Sequence, residues 1–191
     1  AGVAVRRVGT ATVTKDDVLH EMEEISSGSN KIMTADELNA ALSVIRKNKK
    51  IVFTNGCFDI LHVGHIALLK KSKALGDKLI VGLNSDASIR RIKGKNRPIV
   101  SENERAHILA ALESVDYVVL FDDDTPLELI KQLKPDVLVK GSDYKIGDVV
   151  GHEVVESYGG KVELVDLVEG FSSTRIVESI LKNHASSEKK N

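Results

Sequence analysis

From about residue 31 onward, short apolar runs alternate with amphipathic stretches along the chain. Five apolar runs have the length of buried strands and cover residues 51–54, 79–83, 117–121, 137–139 and 162–165. Around them, apolar residues recur at helical spacing over residues 34–46, 64–75, 86–92, 101–112, 125–133, 153–157 and 172–181. This alternation predicts an α/β fold with a doubly wound, five-stranded parallel sheet covered on both faces.

Local signals mark where several of these helices begin. Thr34 with Glu37 and Ser101 with Glu104 have the spacing of capping boxes, in which the two residues satisfy free backbone N–H groups reciprocally. Pro126 has the position of a first helical residue, where its missing N–H costs nothing. Ligands of doubly wound folds bind at the carboxyl ends of the strands. A functional motif should therefore directly follow a strand.

The first 30 residues stand apart from this alternation. They contain a short β-like run and an acidic helix-like piece, followed at 26–30 by small polar residues typical of a linker. We therefore expect residues 1–30 to be the end of an upstream domain plus a linker, residues 31–182 to form one domain, and residues 183–191 to be a polar tail. The chain begins with Ala1 instead of Met, as expected of a start inside a longer protein.

Composition narrows the class of protein. The 191 residues carry a formal net charge of −1 and are 42% hydrophobic, so the chain can bury a core but has no overall basic charge for a nucleic acid. Aromatic residues make up 4% of the chain, with no Trp, which disfavours stacking on bases. One cysteine excludes an intrachain disulfide, and no apolar run reaches membrane-spanning length. We expect a cytoplasmic protein without nucleic-acid or membrane partners.

The segment TNGCFDILHVGH, which extends from the first predicted strand at 54–65, carries the clearest functional signal. Its two histidines, His62 and His65, are three residues apart at a predicted helix start and therefore share one face. Gly64 removes a side chain where a flat ring could approach, and a helix N-terminus favours an anion. Two imidazole donors beside an anion site suit phosphate chemistry, in which catalysis is largely positioning and charge stabilisation.

Other interpretations of this segment fit less well. The two histidines could bind a metal ion, but the HExxH spacing and a third ligand are missing, so we predict no metal ligands from the protein. A Ser-His-Asp triad would need a nucleophile elbow, which the sequence lacks. Cys57 is more simply interpreted as a small packed residue than as a nucleophile.

Five segments together resemble the HxGH nucleotidyltransferase superfamily, which contains small cytidylyl- and adenylyltransferases. They are TNGCFDILHVGH, GLNSDASIRRIKGKNRP, ENERAHILAAL, LVKGSDY and EGFSSTRIV, and they lie between residues 51 and 180. The chain is more similar still to the adenylyltransferase domain of the bacterial bifunctional heptose-phosphate kinase/adenylyltransferase family. Residues 1–14 resemble the end of ribokinase-type sugar kinases, which implies that they are the end of an upstream kinase domain.

The resemblance implies a Rossmann-like nucleotidyltransferase fold and roles for individual residues. His62, His65 and Lys93 are expected to be catalytic, with both histidines on the nucleotide phosphates and Lys93 reaching them from a basic loop. Other matched positions are expected to bind the nucleotide: Phe58, Asp59, Gly64, Asp143, Ser172, Ser173, Thr174 and Arg175. The alternatives are solvent-facing side chains for Lys93 and Arg175, and a simple N-cap for the serines.

A second group of matched residues is expected to bind the acceptor substrate: Asn84, Asp86, Arg97 and Arg105. The alternatives are helix capping for Asp86, a solvated loop for Arg97 and a surface salt bridge for Arg105. One position departs from glycerol-phosphate cytidylyltransferases, which carry Arg three residues before the glycine of the last segment. Here that residue is Leu167, which weakens an interpretation with CTP and glycerol phosphate.

The implied reaction transfers AMP from ATP to D-glycero-β-D-manno-heptose 1-phosphate, giving pyrophosphate and ADP-heptose for lipopolysaccharide core synthesis. Mg²⁺ is expected with ATP. Two alternatives stay open: another cytidylyl- or adenylyltransferase, such as a glycerol-3-phosphate cytidylyltransferase, and a catalytically silent nucleotide-binding module. We further expect a homo-oligomer, most simply a dimer, and an upstream kinase domain in the full-length protein.

Overall fold

Strands and helices alternate through the part of the chain that the computed structural model describes, residues 31–166, 168 and 170–188. The strands are β1 (Ile51–Gly56), β2 (Lys78–Asn84), β3 (Tyr117–Phe121), β4 (Val137–Gly141) and β5 (Lys161–Val165). The helices are α1 (Ala35–Ile45), α2 (Val63–Lys73), α3 (Asp86–Lys93), α4 (Glu102–Ala110), α5 (Leu127–Leu133), α6 (His152–Ser157) and α7 (Ser173–Glu188). A 3₁₀ turn, Ile146–Asp148, lies between β4 and α6.

The five strands form one parallel sheet in the order β3-β2-β1-β4-β5. From β1 the chain moves outward through β2 to β3, and it then returns to the other side of β1 for β4 and β5. The predicted doubly wound fold is therefore confirmed, with its topological switch between β1 and β4. These two strands pair only at Val52 and Phe53, so their backbone ladder ends well before their carboxyl ends.

Each strand sends alternate residues to the two faces of the sheet, as the pleat requires. On one face, Phe53, Ile80 and Leu138 pack with side chains of α1, α5 and α6. On the other face, Val52 and Val81 pack with side chains of α2 and α4. All five residues are fully buried. Two apolar layers thus cover the sheet on both faces. Only the ends of the strands remain open to a ligand.

The predicted capping signals are present in the structure. Thr34 with Glu37 and Ser101 with Glu104 form complete capping boxes at the starts of α1 and α4. Pro126 directly precedes the first residue of α5, one position before its predicted place. These contacts fix where two of the connecting helices begin and therefore how they lie on the sheet.

The two largest differences from the predicted elements are at Ile32 and at the end of α7. Ile32 forms an isolated parallel bridge with Val118 of β3, a pairing that has no signature in the local sequence. Helix α7 runs to Glu188 instead of ending at residue 181, because residues 182–188 contain neither Gly nor Pro to stop it. The predicted polar tail therefore begins within a helix. Residues 1–30, predicted to be an upstream remnant and linker, lie outside the described residues.

The buried face of α1 provides a test of the core. Leu42 is 0% exposed, whereas Val44 on the same helix is 75% exposed. We expect Leu42→Ala to lower the free energy of unfolding by about 2–5 kcal/mol, since it leaves a cavity against the sheet. Val44→Ala should change it by less than about 0.5 kcal/mol. Urea denaturation of both variants measures the difference, and equal effects would contradict the described packing.

Candidate active site

The turn between β1 and α2 depends on a residue with an unusual backbone. Phe58 has a φ of 45°, in the left-handed region that residues with a Cβ rarely adopt. Its side chain is buried in the core layer beneath α2 and α4, and its ring centroid lies 5.1 Å from that of His65. This packing offsets the backbone strain. Phe58 therefore supports His65 from inside the protein, and its expected place beside a nucleotide stays a prediction.

His62 and His65 form a stacked pair at the start of α2. His62 is the N-cap residue, but its side chain makes no capping hydrogen bond. Its ring instead stacks on that of His65, with centroids 3.8 Å apart and planes 22° from parallel. A Cβ at Gly64 would lie 3.0 Å from two atoms of the His62 ring. A glycine at this position therefore allows the stacking, and the histidines share one face as their spacing predicts.

Both histidines are uncharged near neutral pH. Burial lowers the pKa of His62. Burial, together with the charges of His62 and Lys93, lowers the pKa of His65 to about 4. The Nδ1 atoms of both rings are buried and have no hydrogen-bond partner among the described residues. Charging a ring would leave a buried N–H donor unpaired, which is costly. The pair therefore presents neutral, polar rings.

The histidine pair borders a cavity of about 210 Å³ at the carboxyl ends of β1 and β4, here called the histidine cavity. Asp143, from the loop after β4, lines its polar side. Leu68 and Phe171 give it an apolar side. The cavity lies at the topological switch, where ligands of doubly wound folds bind. The structure thus brings His62, Gly64, His65 and Asp143 together around one space.

A second cavity, of about 350 Å³, lies over the carboxyl ends of β1 and β2 and is here called the lysine cavity. Lys93, the last residue of α3, lines it together with Asn84 and Cys57. Asn55, Lys140 and Tyr144 line both cavities. The two cavities therefore adjoin at these three residues, so ligands bound in each would meet there.

None of the three residues at this junction was predicted from the sequence to belong to the site. The Nζ atom of Lys140 donates a hydrogen bond to Oδ1 of Asn55 at 2.5 Å. Burial lowers the pKa of Lys140 to about 8, while the nearby groups of Cys57 and Asp143 act in the opposite direction. The sequence does carry a signal for Lys140, because it is a charged residue that directly follows the apolar run 137–139. Its side chain is partly buried and brings positive charge to the space between the cavities.

Asp59 and Arg97 bind each other and line neither cavity. The Asp59 carboxylate accepts hydrogen bonds from Nη1 of Arg97 at 2.6 Å and from the backbone N–H groups of Ile99 and Val100 at 2.7 and 3.0 Å. Burial raises the pKa of Asp59, but the hydrogen bonds from Val100, Arg97 and Ile99 lower it by more. The pair anchors the basic loop to the turn. The expected nucleotide contact of Asp59 and substrate contact of Arg97 stay predictions.

Arg105 is an internal tie between four segments of the chain. Its side chain is 0% exposed. Nε donates to the carbonyl of Val100 at 3.0 Å, and Nη1 donates to the carbonyls of Cys57 at 2.6 Å and Asn84 at 2.9 Å. Nη2 pairs with Oδ1 of Asp86 at 2.7 Å. The ion pair of Arg105 is therefore buried and not a surface salt bridge, with Asp86 as its counter-ion. Contact of either residue with a substrate stays a prediction.

The two signature segments meet at the start of α7. Oγ of Ser172 accepts a hydrogen bond from the backbone N–H of Arg175 at 3.2 Å, which satisfies one free donor at the helix start. Oγ of Ser173 donates to the carbonyl of Ile60 at 3.2 Å. The hydroxyl of Ser173 thus joins α7 to the turn that carries the histidines.

The remaining residues of the second signature lie beside the histidine cavity without lining it. Thr174 and Arg175 are exposed, and Nη1 of Arg175 donates to the carbonyl of Gly170 at 2.8 Å. Phe171, directly before the signature serines, is the residue that reaches the cavity wall. Leu167, the position that separates this chain from glycerol-phosphate cytidylyltransferases, lies outside the described residues.

The acidic side chains near the cavities are dispersed. Asp143 lines the histidine cavity, while Asp124 and Asp148 line the lysine cavity. Among the described residues, no three His, Cys, Asp or Glu side chains are grouped so that they could hold a metal ion. In the same part of the chain, no helix combines the length and apolar character needed to cross a membrane.

The parallel sheet with a histidine pair and a cavity at its topological switch defines an α/β protein whose ligand site lies where doubly wound folds place it. A family model described as cytidylyltransferase-like matches residues 53–187. The chain belongs to this cytidylyltransferase-like family. The matched region includes both cavities and both signature segments.

Relatives extend the similarity over almost the whole chain. The bifunctional protein HldE of Syntrophotalea carbinolica is 57% identical over 187 residues, and that of Geobacter metallireducens is 57% identical over 184 residues. These matches cover 96% and 95% of this chain but 38% of each relative. The chain thus spans a little over a third of the length of the curated relatives it matches.

Solved structures agree with the fold. The lipopolysaccharide core biosynthesis protein from Thermoplasma volcanium is 35% identical, with a TM-score of 0.53 over 63% of this chain and 98% of the other. The pantoate-beta-alanine ligase from Francisella tularensis is 18% identical, with a TM-score of 0.52 over 76% of this chain and 74% of the other. The second likeness concerns the fold alone.

The charge state of His65 can be measured directly. We expect its imidazole to titrate at about pH 4, well below the ordinary value near 6.5. Below about pH 6.5 the unfolded chain binds a proton at this ring, whereas the folded protein keeps the ring neutral. The free energy of unfolding should therefore be highest above about pH 6.5 and decrease as the pH falls toward 4. NMR titration of the ring protons, assigned with His65→Gln, tests this expectation. A midpoint at or above 6.5 would overturn it.

The role of Arg105 predicts a large loss of stability. Arg105→Met removes the donors of three backbone carbonyls and the counter-ion of Asp86, so we expect a loss of about 3–5 kcal/mol. Arg90→Met is the matched control, because Arg90 is exposed on α3 and its replacement should cost less than about 0.5 kcal/mol. Chemical denaturation of both variants gives the comparison. A similar small effect at both positions would refute the internal tie.

Proposed function

We propose that this chain is a nucleotidyltransferase that transfers AMP from ATP to D-glycero-β-D-manno-heptose 1-phosphate, releasing pyrophosphate and forming ADP-heptose. The observation that carries the proposal is the stacked pair His62 and His65 on the wall of a cavity that adjoins a second, lysine-lined cavity. Two adjoining spaces suit two phosphate-bearing substrates. The 57% identity to bifunctional protein HldE supports the heptose acceptor, together with the resemblance of the sequence motifs.

The proposed reaction is an in-line displacement at the α-phosphorus of ATP. An oxygen of the sugar phosphate forms a new bond to that phosphorus, and the bond from the phosphorus to the bridging oxygen of pyrophosphate breaks. The attacking oxygen is already anionic, so the reaction needs no strong base. Alignment and neutralisation of charge then supply most of the catalysis. His62, His65 and Lys93 are the residues proposed to meet the phosphates.

The neutral histidines suit this chemistry. An uncharged imidazole donates one hydrogen bond to a phosphate oxygen, and its pKa rises as negative charge collects beside it. Phe58 packs against the ring of His65, and the lack of a side chain at Gly64 leaves room for the ring of His62 to stack on it. Their positions are thus set before a substrate arrives, which reduces the cost of ordering donors in the transition state.

We propose that Mg²⁺ enters with ATP and is bound chiefly by phosphate oxygens. Mg²⁺ commonly uses one or two carboxylates plus substrate phosphates, and the dispersed Asp143, Asp124 and Asp148 offer no cage of their own. The ion would neutralise phosphate charge.

The longer relatives, named bifunctional, support an upstream kinase domain in the full-length protein. A homodimer and a cytoplasmic location stay predictions.

A cytidylyl transfer is the second candidate, because the matching family is described as cytidylyltransferase-like. Pyrophosphate release should be measured with ATP and with CTP, each against heptose 1-phosphate and glycerol 3-phosphate. We expect release with ATP and heptose 1-phosphate. Release only with CTP, or only with glycerol 3-phosphate, would replace the proposed substrates. ATP binding without release for any acceptor would favour a silent nucleotide-binding module.

Replacing either histidine tests the catalytic proposal. We expect His62→Ala and His65→Ala each to lower kcat by about 10²–10³, the typical cost of removing one donor that stabilises developing charge. His107→Ala is the control, because His107 is exposed on α4 and away from both cavities. Pyrophosphate release and thermal unfolding should be measured on the same samples. Full turnover in a folded histidine variant would refute the proposed role.

A further inference from the structure

Lys140 lies where the histidine cavity and the lysine cavity adjoin. It lies near the carboxyl end of β4, and Asn55 lies near that of β1, so the two residues face each other across the topological switch. Nζ of Lys140 donates to Oδ1 of Asn55 at 2.5 Å and to its carbonyl at 3.2 Å. Nζ also lies 5.7 Å from the centroid of the Tyr144 ring. The ammonium is therefore held in place from two sides.

Nζ of Lys140 donates two hydrogen bonds, both to Asn55. A charged lysine carries three N–H groups, and Asn55 accepts two of them. No other described residue accepts a hydrogen bond from Nζ. Lys140 lines both the histidine cavity and the lysine cavity, so a ligand at their junction can accept a hydrogen bond from the third N–H. A partly buried ammonium is costly unless an anion compensates it.

We propose that Lys140 is a catalytic residue that binds the phosphoryl group in transfer at the junction of the two cavities. This inference rests on the proposed function, because the α-phosphoryl group of a nucleotide in one cavity must meet the acceptor phosphate of the other at their shared wall. Asn55 then acts as the positioning residue that aims the ammonium. Lys93 serves the lysine cavity alone, so the two lysines have different tasks.

A purely structural role is the alternative. Thr54 already joins β1 to β4 through a hydrogen bond from its hydroxyl to the carbonyl of Val139 at 3.0 Å, and Lys140 could be a second such tie. A tie would lower stability when removed but would leave nucleotide affinity and turnover in the folded protein unchanged. The two roles are therefore separated by measurements on folded variants.

The test compares Lys140→Met with Lys145→Met, an exposed lysine in the same loop that lines neither cavity. Calorimetric titration with ATP, which does not depend on turnover, and pyrophosphate release are both measured. For Lys140→Met we expect ATP affinity to fall about tenfold or more and kcat to fall further, as for the loss of a charge-assisted hydrogen bond that strengthens in the transition state. Lys140→Arg should recover part of the loss, and Lys145→Met should match the wild type.

Each outcome decides between the proposals. Unchanged ATP affinity and kcat in folded Lys140→Met would overturn the inference while leaving the proposed function intact. A rise only in KM for the sugar phosphate would also overturn it, because the lysine would then belong to the acceptor alone. If the wild type releases no pyrophosphate with any acceptor, the proposed function fails, yet weaker ATP binding by Lys140→Met would still support the phosphate contact. If Lys140→Met does not fold, Lys140→Gln replaces it in the same titrations.

Discussion

The buried guanidinium of Arg105 is the interaction on which the geometry of the site depends. Its donors join the turn after β1, the end of β2, the loop before α4 and the start of α3. A guanidinium has five donors in a fixed plane, so it sets the directions of these segments as well as their distances. Cys57 in the turn after β1 and Asn84 at the end of β2 line the lysine cavity, and Arg105 binds the backbone carbonyls of both. Arg105 therefore fixes the shape of the lysine cavity, although it lines neither cavity itself.

The sheet topology supplies the second constraint. β1 and β4 pair only near their starts, and side chains take over where the ladder ends: Thr54 reaches Val139, and Lys140 reaches Asn55. The separation of β1 from β4 makes room for a ligand, and side-chain hydrogen bonds join the two strands where backbone pairing has ended. A stabilising contact, Thr54 with Val139, and a candidate phosphate contact, Lys140, therefore lie on adjacent residues of the same two strands.

Much of the fold could be predicted from the sequence, because the strands are short apolar runs and the helix starts carry local capping signals. The histidine pair was predictable for the same reason, since spacing on a helix places both rings on one face. The internal partners of Asp59 and Arg105 were not predictable, because most of them lie about 20–50 residues away and matched motifs do not distinguish a buried support from a ligand contact. Asn55 and Lys140 gain their importance from two strands meeting across the sheet, a relation that no local pattern contains.

The neutrality of the stacked histidines has a consequence for selectivity. Rings that are uncharged at neutral pH add little attraction for the small anions that are abundant in any cell, so the fixed positive charge at the histidine cavity comes from Lys140. Their hydrogen bonds become stronger only when a ligand places negative charge against them and raises their pKa. A ligand large enough to fill the cavity and also reach the charged lysines gains this response in full, whereas a small anion touching one wall gains little. We therefore expect the site to select by size and charge together, because the ligand itself must bring the negative charge that strengthens these hydrogen bonds.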